Sequence, residues 1–351
     1  MKVLYITVRA DFGGGPRHLT QLINNLSQRY EIYLAAPEGE PYGTEWRCNK
    51  NLKGILTIPY RSFSIKTLFQ INHFIKEHKI DIIHSHGNGA GIYSRLLKIL
   101  CPKVKIIHTF HGISDNYSSK FKNITNIIIG NILKFFTDKF ILVSNGEMKL
   151  GKQLGFIKSK TSEVIYNGIE DHGKKNLIHS HILNIVTLSR FDYAKNMDMA
   201  FAIARFFKKD NSITFTWVGD GDDFQRLKEQ AINENLNINF VGFSKEPIKF
   251  LKEADIYLST SRFEGLPYAL IEAASVGIPI IATNVKGNNE CVKNKETGLL
   301  FTTIEQGISC IQQLQDYNIR KRLGDNARDF FLNTFTEEQM ITKIINVYEN
   351  K

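Results

Sequence analysis

Two types of segment alternate along the whole chain, and this alternation restricts the possible folds more than any other feature. Amphipathic stretches with helical periodicity, such as RHLTQLINNLSQ and GIYSRLLKIL, separate short apolar runs that are typical of buried strands. The strand-like runs are KVLYITV, EIYLAA, DIIHSH, KVKIIHTF, DKFILVS and SEVIY in the first half, and HILNIVTLS, SITFTWVG, INFVGF, ADIYLST, GIPIIAT and TGLLF in the second. Strands that alternate with helices form parallel sheets covered by helices on both faces. We therefore predict an α/β protein with two doubly wound domains.

Chain length and one polar segment indicate where these domains meet. A chain of 351 residues is long enough for two hydrophobic cores of ordinary size. The polar stretch NGIEDHGKKNLIHS, residues 167–180, interrupts the alternation and is typical of a linker. We place one domain at residues 1–170 and the other at residues 171–335. The final segment, residues 336–351, is predicted to form a helix capped by Thr336.

Cysteine usage and hydropathy bear on where the protein resides. The four cysteines form no CxxC pair, so the sequence indicates neither a zinc ribbon nor a disulfide framework. No window has the roughly 18 uninterrupted apolar residues that a membrane span needs, and the opening strand has no extended signal-peptide core. We expect a cytoplasmic protein.

Positive charge is concentrated in the first half of the chain. Residues 1–170 contain 23 Lys and Arg against 12 Asp and Glu, whereas residues 171–351 contain 22 against 23. A basic domain suits nucleic acid, an anionic membrane surface or a phosphorylated substrate, and charge alone does not choose among them. Residues 118–140 in this half combine Ile, Leu and Phe with lysines. This stretch could lie in the headgroup region of anionic lipid or pack its apolar face on the sheet.

Residues 263–273, FEGLPYALIEA, place two carboxylates eight residues apart around a helix start. The segment follows the strand-like run ADIYLST, and Pro267 suits a first helical turn, where its missing N–H costs little. Glu264 is then expected in the entry loop and Glu272 on the helix. First-turn N–H groups can hold phosphate or sugar oxygens, and carboxylates accept hydrogen bonds from sugar hydroxyls. The segment suits an anionic, hydroxyl-rich ligand, and the alternative is a surface helix whose acids face water.

Two further segments follow predicted strands and suit phosphate. Arg190 follows the strand-like run HILNIVTLS, and Lys195 is predicted to start the next helix, so that a guanidinium and an ammonium there can neutralise a diphosphate. Gly13 and Gly14 follow the first strand and lead into a helix, so the backbone there can approach a phosphate closely. The loop is not GxGxxG, which argues against a nicotinamide or flavin site. A tight turn without a ligand is the alternative for the glycines.

Histidines end two neighbouring strand-like runs of the first half. His84 and His86 share one face of DIIHSH, and His108 and His111 lie at the end of KVKIIHTFH. Two histidines on one strand face could suggest metal binding. No carboxylate or cysteine stands at ligand spacing, so we assign no zinc site. We interpret His108 as a core histidine.

Together these motifs resemble the family-4 retaining glycosyltransferases of the GT-B fold. RFEGLPYALIEA is similar to the E-x7-E signature of that family, SRFDYAK to its R-x4-K element and HTFHG to its histidine element. The resemblance covers nearly the whole chain and is strongest over residues 185–301. It implies two Rossmann-like domains that face a central cleft, with the C-terminal helix returning to the first domain. It also implies that the first domain binds the acceptor and the second the nucleotide-sugar donor.

The resemblance also implies roles for single residues. Arg190 and Lys195 would stabilise the departing diphosphate, Glu272 would accept hydrogen bonds from ribose hydroxyls, and His111 would line the reacting centre. The catalytic set is His111, Arg190, Lys195 and Glu264. The donor-binding set is Gly13, Gly14, Arg190, Lys195, Gly242, Glu264, Gly265, Leu266, Pro267 and Glu272.

The implied reaction is transfer of a hexosyl or N-acetylhexosaminyl group from a nucleoside diphosphate sugar, with UDP as the expected nucleotide, to a hydroxyl acceptor. The DxD pattern at residues 220–223 resembles a structural turn of the family, so we expect neither a metal nor another cofactor. The basic first half suggests a lipid-linked saccharide acceptor in O-antigen or capsule synthesis at the inner face of the cell membrane, and no nucleic-acid partner. The alternatives are a sugar-nucleotide epimerase of the same fold and a non-catalytic basic binding module.

Overall fold

The computed structural model describes residues 1–113, 120–175 and 182–349, and these form two compact units. The first unit comprises Met1–Asn167 together with the chain from Met340 onwards, and the second comprises Gly168–Gln339. Each unit has one parallel sheet with helices on both faces. The predicted α/β architecture with two doubly wound domains is confirmed.

The first unit is built on a sheet of seven strands in the order β3-β2-β1-β4-β5-β6-β7. Its strands are β1 (Lys2–Thr7), β2 (Glu31–Ala36), β3 (Leu52–Thr57), β4 (Ile82–His86), β5 (Lys105–Thr109), β6 (Lys139–Leu142) and β7 (Ser162–Val164). Its helices are α1 (Gly14–Leu26), α2 (Tyr42–Arg47), α3 (Ile65–His78), α4 (Asn88–Leu100), α5 (Lys120–Leu133), α6 (Asn145–Gln153) and the terminal α14 (Glu337–Tyr348). Short 3-10 helices follow at Lys134–Phe136 and Ser159–Thr161.

Both faces of this sheet are buried, which explains why its strands are continuously apolar. Successive side chains of a strand point to opposite faces. In β1, Val3 and Tyr5 join the core beneath α1 and α14, whereas Leu4 and Ile6 join the core beneath α3 and α4. The apolar run KVLYITV therefore serves two cores at once.

Strand β3, Leu52–Thr57, is not among the strands predicted from the sequence. This strand lies at the edge of the sheet and none of its residues is fully buried. Lys53 and Gly54 interrupt its apolar pattern, because an edge strand with a solvated side does not need a continuous apolar run. The periodicity of the sequence carries little signal for such a strand.

The second unit has a sheet of six parallel strands in the order β10-β9-β8-β11-β12-β13. Its strands are β8 (Leu183–Leu188), β9 (Ile213–Val218), β10 (Ile238–Gly242), β11 (Ile256–Ser259), β12 (Ile280–Thr283) and β13 (Gly298–Phe301). Its helices are α7 (Met197–Phe206), α8 (Phe224–Asn233), α9 (Pro247–Glu253), α10 (Tyr268–Val276), α11 (Asn288–Cys291), α12 (Ile304–Gln313) and α13 (Tyr317–Thr334). All six strands correspond to apolar runs recognised in the sequence.

Helix α14 closes the core of the first unit, although it is the last element of the chain. Met340, Ile344 and Val347 pack into the same core as Val3 and Tyr5 of β1. At its start, the Thr336 hydroxyl accepts a hydrogen bond from the Gln339 N–H at 3.4 Å, so the predicted cap is present. The chain therefore returns to the unit in which it began.

The described part of the polar segment between the units is attached to helix α13. The Arg328 guanidinium forms a two-point ion pair with Asp171 at 2.5 and 2.6 Å, and Lys174 pairs with Asp325 at 2.9 Å. Residues 176–181 lie outside the described residues. Within the described ranges, no helix has the length and apolar character that crossing a bilayer requires.

Candidate active site

An ion pair joins two predicted site residues at the carboxyl edge of the second sheet. Lys195 lies in the turn after β8, and its Nζ is 2.5 Å from Oε1 of Glu264, which follows β11. The Ser261 hydroxyl donates to the same oxygen at 2.7 Å. These side chains are only 22% and 13% exposed for Lys195 and Glu264, so the pair is shielded but reachable. A cation and a carboxylate thus lie together beside the carboxyl ends of the strands.

The turn before α7 differs from the sequence-based expectation. We expected Lys195 to start the helix, but α7 begins at Met197 and Asn196 has a left-handed backbone with φ of 54°. The Lys195 N–H is bound by the carbonyl oxygen of Asp192 at 3.1 Å. The turn therefore directs Lys195 towards Glu264 before the helix starts.

Helix α10 brings the second carboxylate of the E-x7-E segment to the same place. Glu272 is 4% exposed on this helix, and Pro267 occupies the N-cap position just before it rather than the first turn. Burial raises the pKa of Tyr257, and the carboxylates of Glu264 and Glu272 raise it further. Both acids therefore lie near one buried phenol. The Tyr257 hydroxyl donates to the carbonyl of Leu188 at the end of β8.

A small cavity opens between these elements of the second unit. Its lining includes Ser189, Lys195, Thr260, Glu264, Pro267 and Leu270. The first turn of α10 borders it, and first-turn N–H groups of a helix lack acceptors within the helix. The cavity thus combines a cation, a carboxylate, hydroxyls and a helix N-terminus.

Gly287 shapes the entry loop and was not singled out in the sequence. Its φ is 87°, and a Cβ there would lie 2.7 Å from the Gly265 carbonyl oxygen and 2.9 Å from Cβ of Glu264. Only glycine allows this approach without strain. The neighbouring Leu266 is 4% exposed, so the loop between Glu264 and α10 is packed from both sides.

Arg190 and Gly242 lie at the same edge but make other contacts. Arg190 is 51% exposed and pairs with Asp192 at 2.9 Å. Gly242 ends β10 with φ of 79°, its carbonyl accepts from the Gly219 N–H, and the space that a Cβ would occupy is open. Open space beside a backbone group is what an approaching planar ring needs.

The DxD pattern forms a turn after β9. Asp220 accepts a hydrogen bond from the Gly221 N–H at 2.8 Å, and Asp223 forms an ion pair with Arg226 at 2.7 Å. Across the described ranges, no group of three or more His, Cys, Asp or Glu side chains is arranged to hold a metal ion. The carboxylates of Asp220 and Asp223 are therefore used in local contacts.

In the first unit, the glycine loop after β1 leads directly into helix α1. Gly13 is the N-cap residue and Gly14 is the first helical residue. Arg9 forms a two-point ion pair with Asp11 at 2.8 and 2.7 Å, and Arg61 reaches the same carboxylate at 3.0 Å. A Cβ on Gly13 would lie 2.9 Å from Nη2 of Arg9. Two guanidinium groups, one from this loop and one from the connection after β3, therefore share one carboxylate.

Histidine rings from three elements meet beside this loop. Nδ1 of His86 lies 3.0 Å from Nε2 of His111, and the ring centroid of His18 lies 4.8 Å from that of His111. The ring centroids of His84 and His86 lie 4.3 Å apart, and the two rings are tilted by 34°. The backbone of Gly15 lies against His111, since a Cβ there would be 3.6 Å from its Cδ2. His111 is half-buried, so it forms the outer end of the cluster.

The predicted core role of His108 agrees with its surroundings. It is fully buried, its Nδ1 lies 2.9 Å from the Ser85 hydroxyl, and its ring lies against Phe110. His84 is similarly enclosed, with Nδ1 2.7 Å from the hydroxyl of Tyr348 on α14 and Nε2 2.8 Å from that of Thr109. The terminal helix therefore supports the cluster from within.

Burial keeps the histidine cluster uncharged. Desolvation lowers the pKa of His18 to about 4, against a smaller opposing effect of its hydrogen bond to Asn167. Desolvation is also the main cause that holds the pKa of His84, His86 and His111 well below the usual value. Neutral imidazole can donate with one nitrogen and accept with the other. His111 can therefore serve as a neutral hydrogen-bonding group at neutral pH.

Glu147 is a residue of this region that the sequence motifs did not select. It is fully buried on α6 and accepts hydrogen bonds from the backbone N–H groups of Gly112, Ile113 and Val143 at 2.5, 2.9 and 2.8 Å. Its own N–H donates to the Ser144 hydroxyl. The signal was present as SNGE, an S-x-x-E pattern directly after the strand-like run DKFILVS.

Two family models match the chain, one to each half. The model described as Glycosyltransferase Family 4 matches residues 12–172, and the model described as Glycosyl transferases group 1 matches residues 169–330. Together the two matches run without a gap from residue 12 to residue 330.

Individual proteins show the same similarity. The chain is 26% identical over 308 residues to UDP-Gal:alpha-D-GlcNAc-diphosphoundecaprenol alpha-1,3-galactosyltransferase of Escherichia coli, covering 81% of this chain and 79% of that protein. It is 26% identical to the capsular polysaccharide biosynthesis glycosyltransferase CapH of Staphylococcus aureus, with 83% of each chain covered. The crystal structure of Anabaena HepE in complex with UDP and glucose has a TM-score of 0.85 and 18% identity, with 100% of both chains covered. This structural likeness shows the fold.

The depressed pKa of His18 predicts that acid destabilises the first unit. The unfolded ring binds a proton below about pH 6.5, whereas the folded ring stays neutral down to about pH 4. The stabilisation is therefore present above pH 6.5 and is lost as the pH falls towards 4. His18 alone should remove about 2 kcal/mol from the free energy of unfolding between pH 7 and pH 5.

Urea unfolding of the wild type and of His18→Gln at both pH values checks this prediction. The variant should show a pH-dependent loss smaller by about 2 kcal/mol. His73→Gln is the matched control, because the His73 side chain is 83% exposed. An identical pH dependence in the wild type and His18→Gln would contradict the assignment of a neutral buried ring.

Proposed function

We propose, since the chain belongs to the family-4 glycosyltransferases of the GT-B fold, that it transfers a hexosyl or N-acetylhexosaminyl group from a UDP-sugar to a hydroxyl group with retention of configuration. The acceptor is a lipid-linked saccharide of O-antigen or capsule synthesis. The bond from the sugar C1 to the diphosphate breaks, a bond from C1 to the acceptor oxygen forms, and the acceptor proton passes to the departing phosphate. No metal ion is needed in this scheme.

The observation that carries the proposal is the cluster of Lys195, Glu264 and Ser261 at the N-terminus of α10. The Lys195 ammonium, 2.5 Å from Glu264, and the first-turn N–H groups of α10 provide positive potential for a diphosphate. Arg190 adds a second cation at the same sheet edge, with half of its side chain free to reach a ligand. A cation pair that stabilises the leaving group takes the place of a divalent ion.

The sugar and the nucleoside would use the carboxylates of the same cluster. Glu264, with the amides of Gly265 and Leu266, would hold the donor sugar, and Glu272 would accept from the ribose hydroxyls. Gly242, with open space above its backbone, would face the base. In the first unit, Gly13 and Gly14 would approach the donor phosphate, and the neutral His111 would line the reacting centre.

Relatives support the substrate classes of the proposal. The Escherichia coli relative is named for a UDP-Gal donor and a diphosphoundecaprenol-linked acceptor, and the Staphylococcus aureus relative for capsular polysaccharide biosynthesis. The Anabaena structure is described as a complex with UDP and glucose. A nucleotide-sugar donor and a lipid-linked acceptor are consistent with these names.

A direct test is turnover with UDP-hexoses and UDP-N-acetylhexosamines in the presence of lipid-linked saccharide acceptors. Mass spectrometry should detect an acceptor that has gained one sugar, together with free UDP. Conversion of the UDP-sugar without an acceptor would instead support an epimerase. Absence of UDP binding in calorimetry would support a non-catalytic binding module.

Replacement of Lys195 should slow transfer far more than it destabilises the protein. Its charge is needed most as the diphosphate departs, so Lys195→Ala should lower kcat on the order of a hundredfold. Lys209→Ala is the matched control, because Lys209 is an exposed lysine of the same unit. The wild type should keep its rate in EDTA. Loss of activity in EDTA, restored by manganese, would overturn the metal-free scheme and implicate the turn at residues 220–223.

Replacement of Glu272 should weaken nucleotide binding. In Glu272→Ala the ribose hydroxyls lose charge-assisted hydrogen bonds worth roughly 1.5–3 kcal/mol. Isothermal calorimetry with UDP measures this loss directly. Glu296→Ala, an exposed acid of the same unit, should bind UDP like the wild type. Unchanged UDP affinity in a folded Glu272→Ala protein would remove Glu272 from the nucleotide site.

The membrane surface is the second partner that we propose, and helix α5 provides the motivation. Ile124, Ile128, Ile132 and Phe135 are each more than half exposed, and their spacing places them along one side of this segment. The opposite side packs inward through Ile127 and Leu133. Residues 118 and 119 and the side chains of Lys120 and Lys122 lie outside the described residues. The exposed apolar side chains are available to insert at a lipid interface.

Lysines flank the tip of this apolar row. The Nζ atoms of Lys134 and Lys158 lie 5.5 and 4.7 Å from the ring centroid of Phe135. An apolar row with cations at its end, on a unit with excess positive charge, is complementary to an anionic bilayer. The occupant that we propose for this surface is therefore a membrane containing anionic phospholipid.

Charge reversal at the tip should weaken binding to anionic vesicles. Each lysine near such a surface contributes about 1 kcal/mol, so Lys134→Glu with Lys158→Glu should remove most cosedimentation with phosphatidylglycerol vesicles. Salt should weaken vesicle binding as well, because the electrostatic field of the anionic surface is screened within about 10 Å at 0.1 M salt. Lys208→Glu with Lys209→Glu is the matched control on exposed residues of the second unit. No binding by the wild type, or equal binding by both double variants, would refute membrane docking through α5.

A further inference from the structure

His111 has a backbone conformation that must be held in place by its surroundings. Its φ is 63°, in the left-handed region that residues other than glycine adopt at a cost. The direction of the imidazole depends on this conformation, because the Cβ position follows from the backbone. The contacts of the ring with His86 and His18 restrain the side chain but not the peptide that follows it. Another group has to restrain that peptide.

Glu147 binds the two peptides that follow His111. Its Oε1 accepts from the N–H groups of Gly112 and Ile113 at 2.5 and 2.9 Å. Its Oε2 accepts from the N–H of Val143, at the end of β6, at 2.8 Å. Because the carboxylate is fully buried, these bonds form without competition from water. One side chain thus joins the loop after β5 to the neighbouring end of β6.

This use of Glu147 goes beyond capping its own helix. In a capping box the acid at the third helical position bonds back to the N–H of the N-cap residue. Here the Ser144 hydroxyl caps α6 by accepting from the Glu147 N–H at 3.1 Å. One oxygen of Glu147 accepts from two N–H groups of the loop that carries His111. Helix capping alone would not require that contact.

We propose that Glu147 is a positioning residue for His111, which it holds in its left-handed conformation through the N–H groups of Gly112 and Ile113. The inference rests on the proposed function only in that His111 is taken to line the reacting centre. Glu147 contacts no substrate in this scheme. Its effect on turnover passes through the placement of the His111 ring.

The informative change is Glu147→Gln, which keeps the size of the side chain. An amide has one acceptor oxygen where the carboxylate has two. Its NH₂ group, which is a donor, must therefore face at least one backbone N–H, and no hydrogen bond can form there. The loop should shift, and a displacement of about 1 Å can lower a rate by up to about a hundredfold. We expect kcat to fall by about tenfold or more, with UDP affinity unchanged, since the loop that Glu147 holds makes none of the proposed nucleotide contacts.

Asp138→Asn is the matched control. Asp138 accepts from the N–H of Ile106 at 2.7 Å, at the beginning of the same strand β5 whose other end leads to His111. Asp138, like Glu147, is a carboxylate that binds a backbone N–H, but it does so at the opposite end of β5. Asp138→Asn should keep the kcat of the wild type, even if it loses as much thermal stability as Glu147→Gln does. If Glu147→Gln does not fold, Glu147→Asp, which retains the charge but shortens the reach, replaces it.

Two measurements separate positioning from stability. In a double-mutant cycle, His111→Ala with Glu147→Gln should be no slower than His111→Ala alone, because Glu147 acts through His111. Additive losses would overturn the proposal. In the ligand-free protein, the imidazole ¹⁵N resonances of His111 should shift in Glu147→Gln and not in Asp138→Asn. Unchanged resonances would refute positioning even if transfer were never observed, whereas shifted resonances without transfer would count against the proposed function alone.

Discussion

All strands of a parallel sheet run in one direction, so their carboxyl ends meet at a single edge, and every candidate site residue of this protein depends on that constraint. Lys195 follows β8, whereas Glu264 and the start of α10 follow β11, yet they lie around one small cavity. In the first unit, the glycine loop follows β1, His86 ends β4, and His111 follows β5. Ligands of open α/β sheets bind at this edge because loops there can vary without disturbing the buried strands.

Polar groups near the core are stabilised in different ways at the carboxyl edges of the two sheets. In the second unit, partly exposed charges neutralise one another, as in the pair of Lys195 and Glu264. In the first unit, burial removes charge from the histidines, and Glu147 is satisfied by backbone N–H groups. A polar group that loses water needs a partner or must become neutral, because desolvation otherwise costs several kcal/mol. The ion pair thus keeps a cation at one edge without an unpaired charge, and the neutral cluster keeps hydrogen-bonding groups at the other.

Sequence periodicity predicted most of the fold because buried parallel strands must be apolar on both faces. It failed for β3, whose edge position relaxes that requirement. Sequence motifs identified Lys195, Glu264 and Glu272 as candidate site residues, because residue type and spacing can be read from the sequence alone. The same reading misplaced Lys195 at a helix start and Pro267 in the first helical turn, because the left-handed turn at Asn196 and the N-cap position of Pro267 depend on how the loops pack.

The sequence by itself determined the two doubly wound domains and the family, and it singled out the carboxylates and cations of the candidate site. These follow from local periodicity and from residues close together in the chain. Only the tertiary structure decided which groups act on one another. It joined Lys195 to Glu264, brought Tyr348 of the last helix to His84, and placed Glu147 beneath the loop that carries His111. Such contacts join residues far apart in sequence, and their strength depends on burial and on the loss of water, which a linear pattern does not encode.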